Sequence, residues 1–589
     1  MSSCSAPALQ LDIDSLALSN ARINYHDAAS GQRYSLEGID LRSGAIREGA
    51  SIPLTLKGFF ASNQPLLRAR AELTGQLRFD TALKRYWLED ARLQGEASGE
   101  PLANQTLRFS AQGQLLLDQA AQVAEWNGLK LSANQLSLLG ELKARELDKS
   151  AKLEGSLSIA EFDLRAFLAG IGQPLPPMAD ANTLQRVSLA AALSATPTSL
   201  SLSDLKLQLD DSRFSGRLAI SDFSRQSLRA QLKGDTLDLD RYLAPPSAAE
   251  QAASASRKAS VAGSQAGSQA GGNGSTPLPE QPSAHAWSEK PLLPLAALRT
   301  LDAELALSLG QLRVRQLPID NASLKLKAQG GQLNLEELRG ELFDGRFALN
   351  GSLDARSERP QLQLAPSVSN LSVERLLKAL DPQQTPPLRG NLQLDASLDA
   401  RGNSEKALID SLNGTTRFVL DNGALADANL EQQLCRGIAT LNRKLPTRSF
   451  EGRDTPFREL RGSLQIRNGV ASNQDLRVRI PGLTVNGKGD IDLRVLGLDY
   501  RVGVILEGDQ REMPDPACQI NERYVGLEWP LRCRGPLELG AKACRVDQDG
   551  LGRIAAQLAG SKLTEKLDEK LGDKVSPELK DALKGLFGR

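Results

Sequence analysis

LSLSDLKLQLDDSRFSGRLAI, residues 200–220, decides the fold class. Leu200 and Leu202 are followed by Leu205, Leu207 and Leu209. A polar break comes next, then Phe214, Leu218 and Ile220. Ser, Lys, Gln, Asp and Arg fill the places between. Alternation of this kind describes a half-buried strand, a short turn and a second half-buried strand. The motif returns without a gap at LNLEELRGELFDGRFALNGSLDA, residues 333–355, where Leu338, Leu342, Phe347 and Leu353 take the places of Leu205, Leu209, Phe214 and Ile220. A third copy, residues 470–493, carries Leu476, Val478 and Ile480 on its first strand and Val485 and Ile491 on its second. A looser copy starts at Trp87. Strand–turn–strand units with Gly or small residues in the return strand point to a repetitive antiparallel sheet.

Composition narrows the function classes. The chain has 589 residues, of which 40% are hydrophobic and only 4% aromatic, so its apolar surface is mostly Leu. Lys plus Arg and Asp plus Glu are 71 each, and no basic stripe interleaved with aromatics stands out, so nucleic acid is not an expected partner. The two histidines, His26 and His285, sit in no catalytic or metal-ligand pattern, and P-loop, HExxH and GxSxG motifs are missing. No enzyme activity, cofactor or metal is expected. No apolar run reaches the 18 residues that a membrane-spanning helix needs, and the N-terminus shows no export signal.

Cys4 stands alone, whereas Cys435, Cys518, Cys533 and Cys544 cluster in the last third. On a β-rich background the set suggests two disulfides and an oxidising compartment. Their spacings of 83, 15 and 11 do not suit a zinc knuckle. Of three connectivities, Cys518–Cys533 with Cys435–Cys544 is favoured, and buried free thiols are the plainer alternative.

Short helices form a second recurring element. Segments 160–172, 234–245 and 368–382 each end a strand and open a helix at an N-cap, namely Asp163, Asp238 and Ser372. Such helices are too short to stand alone and must pack on the sheet. The chain divides into β repeats over 1–244, an Ala/Ser/Gly linker or loop over 245–286, further β repeats over 287–550, and amphipathic helices over 551–589. The shared repeat grammar on both sides favours a linker that interrupts one sheet over one that joins two. A sheet with one apolar face has to hide it, as a sandwich, as a closed barrel, or as a curved trough whose apolar lining takes long apolar ligands such as acyl chains.

The words Gly402, Ser404, Leu412, Gly414, Asp421 and Gly423, then Thr455, Phe457, Leu460, Gly462, Ile466, Asn468, Gly469 and Val470, then Gly487, Gly489, Ile491, Asp492 and Leu493, occur in order. This stretch resembles the AsmA family of Gram-negative envelope proteins. The resemblance implies an elongated, curved antiparallel β-sheet forming an apolar groove, similar in plan to TamB-related repeating-β-groove proteins. It implies a periplasmic lipid carrier involved in outer-membrane assembly, with phospholipid or another acyl-chain lipid as ligand and envelope proteins as further partners. Family members are usually held in the inner membrane by an N-terminal helix that is missing from this sequence. The candidate groove lining is then Leu205, Leu207, Leu209, Phe214, Leu218, Ile220, Leu338, Leu342, Phe347, Leu353, Leu476, Val478, Ile480, Val485 and Ile491. A scaffold that binds proteins through sheet edges or C-terminal helices is the alternative.

Overall fold

The computed structural model describes residues 12–27, 31–245, 287–382, 385–426, 444, 454–507, 515–518, 525–537, 543–547 and 550. The C-terminal helices expected over 551–589, the linker from 246 to 286 and Cys435 lie outside the described residues. Among the described residues the fold is mainly β, with 66% strand and few helices. The chain divides into two compact units: the described residues of 1–246 with 301–327, and those of 247–300 with 328–589.

In the first unit, strands follow one another as antiparallel neighbours from Leu16–His26 onward. Leu228–Asp238 and Asp302–Val314 are the exception, since they pair in parallel. The chain leaves the sheet after Asp238, crosses back, and adds the next strand beside the one it left. Segment 301–327, grouped above with the second β stretch, lies with the first unit. In the second unit the pairings among the described residues, from Gln332–Leu342 to Cys544–Val546, are antiparallel.

The skip from Leu202 to Leu205 has a structural cause. A β-bulge there shifts the register, with Asp204 at φ 49° in the left-handed region. The extra residue returns the alternation to phase, so Leu200, Leu202, Leu205, Leu207 and Leu209 stay on one face. The second copy shifts at the same place, between Leu335 and Leu338, and the third between Asn473 and Leu476. Left-handed bulges elsewhere use Asn20, Asp90, Gly128, Asn370 and Asn422, residue types that tolerate positive φ. Opposite the Leu202–Leu205 bulge stands Gly216, paired with Leu205 at φ 143°. A Cβ there would run into the carbonyl oxygen of Gln231.

The hairpins and the short helices are parts of one module. Strands Ser199–Leu209, Ser212–Ile220 and Leu228–Asp238 lead into the one-turn helix Leu239–Arg241. Strands Gln332–Leu342, Gly345–Asp354 and Gln361–Ser372 lead into the helix Val373–Leu380. Strands Val123–Ala133, Leu136–Arg145 and Lys152–Phe162 lead into the helix Leu164–Gly170. The N-caps form as expected. Asp163 accepts from the Ala166 amide at 2.7 Å, Asp238 from the Asp240 amide at 3.2 Å and Ser372 from the Arg375 amide at 3.5 Å.

Cys533 and Cys544 form a disulfide. This corrects the favoured pairing of Cys518 with Cys533 and Cys435 with Cys544. The cause is register: Cys533 and Cys544 face each other on adjacent antiparallel strands.

Candidate functional site

Because each strand alternates and each bulge restores phase, the apolar positions line up from strand to strand. Across the first unit Leu18, Leu41, Leu56, Leu73, Leu93, Ala111, Leu131, Leu138, Ile159, Leu189, Leu207, Phe214, Gly234 and Leu309 form one unbroken lateral row. A second row on the same face runs Ile52, Leu77, Leu88, Leu115, Trp126, Leu142, Gly155, Leu193, Leu202, Leu218, Ala230 and Leu305. No polar side chain interrupts either row. Thirteen inter-strand steps of about 4.8 Å make the longer row about 60 Å. The second unit repeats the arrangement with Leu371, Leu392, Leu420, Leu460, Val478, Val485, Val504 and Trp529.

The opposite face is polar, as in the row Lys57, Glu72, Gln94, Ser110, Ser132 and Ser137. Cross-strand charges there are mostly paired: Lys57 with Glu72 at 3.0 Å, Arg78 with Glu89 at 3.3 Å and Lys143 with Glu125 at 2.5 Å. The sheets are therefore two-faced, one side apolar and the other polar.

The fifteen candidate residues all lie on the apolar faces, and none is fully exposed. Leu205, Phe214, Leu342, Val478 and Ile480 are buried, the rest half-buried. Cover is concentrated at one end of the strands. Phe162, Leu184 and Val187 pack with Leu164 and Phe167 of the short helix, with Leu175 and Met178 of the following connection, and with Leu207, Leu209 and Tyr242. Phe214 packs with Leu207, Leu209, Leu307, Leu309 and Ile319. In the second unit Leu420, Phe457, Val478, Ile480 and Leu483 pack with Val373, Leu476 and Val485. Of the candidate residues, these clusters leave out Leu205, Leu218, Ile220, Leu338, Leu342, Phe347, Leu353 and Ile491. Large apolar side chains also stay open near the first strand: Leu16 and Leu18 are each 44% exposed and Ile23 is 59% exposed.

Two polar groups are buried where the cover meets the sheet. Asp210 follows the first hairpin strand and accepts from the amides of Leu184, Gln185 and Arg186 and from the Tyr242 hydroxyl at 2.7 Å. Burial pushes its carboxyl up, but these four donors outweigh it and hold the group below the ordinary carboxylate value. In the second unit Tyr500 donates its hydroxyl to Asn473 at the bulge, and Asn473 donates to the Ser463 carbonyl at 2.6 Å. Burial, with the charge of Asp475, pushes the Tyr500 phenol far above its usual value. Both groups hold backbone turns in place. Among the described residues no cluster of His, Cys, Asp and Glu could hold a metal ion, and no helix is long and apolar enough to cross a membrane.

Sequence reasoning found the end of the module at 160–172 but missed the hairpin of residues 123–145, although Gly140 pairs with Leu129 there as Gly216 pairs with Leu205. The usable signal was the distance between N-caps, since Asp163 and Asp238 end equivalent third strands.

The sequence profile of the AsmA family matches residues 1–476. This chain belongs to the AsmA family. A relative, Protein AsmA of Escherichia coli (strain K12), is 20% identical over 376 residues, which are 63% of this chain and 58% of the relative. The match thus spans little more than half of the relative's length. The family is one of envelope-associated proteins and is not a known enzyme family.

Proposed function

We propose that this AsmA-family protein is a non-enzymatic, periplasmic carrier that holds phospholipid acyl chains along its apolar sheet faces and serves outer-membrane assembly. The unbroken lateral row from Leu18 to Leu309 carries the reading. A face that stays apolar over about 60 Å suits a long ligand that needs neither hydrogen bonds nor a fixed register. Left bare, it would be an aggregation hazard. Leu, Ala and Gly along the row provide a smooth lining with few aromatic rings. The Cys533–Cys544 disulfide fits an oxidising compartment.

The test is native mass spectrometry and lipid extraction on protein purified in a mild detergent. The expected result is co-purifying phospholipid that is lost in a folded Leu218→Glu protein. Stable, lipid-free wild-type protein would overturn the reading in favour of a scaffold that binds envelope proteins.

A further inference from the structure

The polar face of the second unit sets like charges opposite one another at several points, among them Asp421 with Glu459 and Arg461 with Arg477, and one of these is a run of cations. Lys488 and Arg501 are direct cross-strand partners, and Arg501 in turn opposes Arg532. Like charges directly opposite one another destabilise a sheet. Arg532 has a counter-ion in Asp499 at 3.3 Å. Lys488 and Arg501 have none among the described residues, and neither does Arg477, one strand further on. All three are exposed.

These three cations line an open cavity of about 910 Å³, walled by the turn before Glu528 and by Asp547 and Gly550. Three carboxylates share it. Asp475 is turned away, accepting from the Ser463 amide at 2.7 Å, the Ser463 hydroxyl at 2.8 Å and Asn473 at 2.9 Å. Glu528 and Asp547 have no cation among the described residues. The cavity therefore offers a cationic side built from Arg477, Lys488 and Arg501 and an anionic side built from Glu528 and Asp547.

We propose that this cavity binds a phosphate ester that also carries a protonated amine. Arginine and lysine suit the phosphate oxygens, the guanidinium by paired hydrogen bonds and the ammonium as a point charge. The two carboxylates oppose a second negative charge and accept from an ammonium. The inference does not depend on acyl chains occupying the apolar face, because the site lies on the opposite face and takes only the polar group.

Isothermal titration of the full chain with O-phosphoethanolamine, inorganic phosphate and ethanolamine tests it. O-phosphoethanolamine is expected to bind at least tenfold tighter than either fragment. K488Q/R501Q, checked for an unchanged melting temperature, should weaken it at least tenfold. E528Q/D547N should keep phosphate binding and erase the preference for the amine. Flotation with phosphatidylethanolamine vesicles distinguishes the sources. Vesicle binding displaced by O-phosphoethanolamine assigns the site to a lipid headgroup, and soluble binding without vesicle binding assigns it to a free phosphoamine. No saturable binding of O-phosphoethanolamine, or binding that K488Q/R501Q leaves intact, overturns the proposal. If that double variant is unfolded, single R477Q replaces it, with the same loss expected.

Discussion

The hairpins at 199–220 and 332–354 share a register, a bulge position and an apolar face, yet they are finished differently. In the first, Leu205 is 2% exposed, and Leu207 and Leu209 lie beneath Phe167, Leu175, Met178 and Tyr242. In the second, Leu338, the equivalent of Leu205, is only half-buried. The strands are alike. The difference comes from the connection after the helix Leu164–Gly170, which folds back over the strand ends and is anchored on Asp210 by three amides. Alternation thus specifies that a face is apolar. What covers it is decided by segments that do not alternate.

The largest effect expected from this contrast is at Leu205. Leu205→Glu forces a charge into a closed site and should cost roughly 4 kcal/mol or the fold itself, whereas Leu338→Glu should cost less than half as much. Urea melts of the two variants decide it, and equal losses would break the comparison. Leu207→Glu belongs with the first, because Leu207 packs in two clusters; a glutamate there reports packing before it reports lipid.

Next is Asp210→Asn, which sets an amide against three backbone donors and should cost roughly 2–3 kcal/mol. The same anchor gives a pH dependence. The folded-state value of Asp210 lies below the ordinary carboxylate value, so its stabilisation is present above about pH 4 and is lost as the pH falls through the folded value. Melts between pH 6 and pH 2 should show wild type losing its advantage over Asp210→Asn on acidification.

A smaller effect separates the bulges. Asp204 sits at φ 49°, so Asp204→Val should cost about 1–2 kcal/mol, while Glu337→Val at the matching position should change stability by less than about 0.5 kcal/mol. The smallest effect on stability is expected at Leu218, outside the clusters. There Leu218→Glu should leave the melt within about 1 kcal/mol of wild type while removing bound lipid.

Much of this was legible from residues alone. The Leu alternation located the strands and the apolar face, and Asp163, Asp238 and Ser372 marked the helix starts because capping is local chemistry. Other features depend on partners far along the chain. The disulfide needed the register that brings Cys533 opposite Cys544. The parallel pairing of Leu228–Asp238 with Asp302–Val314 spans an excursion that has no periodicity of its own. The hairpin at 123–145 carries an equally dense Leu alternation, so its signal was present in the residues. The candidate lining residues lie on apolar faces, but which of them are buried and which half-buried was not written in their spacing.

One consequence follows from the three-strands-and-a-helix module. Its first and last strands carry the same apolar pattern, so a copy inserted beside another continues the lateral row without a seam. Each duplication lengthens the sheet by three strands, about 14 Å, and leaves its chemistry unaltered. Descendants of such a gene could match a wider or narrower gap by counting copies, with length changing in fixed increments and the lining left as it was.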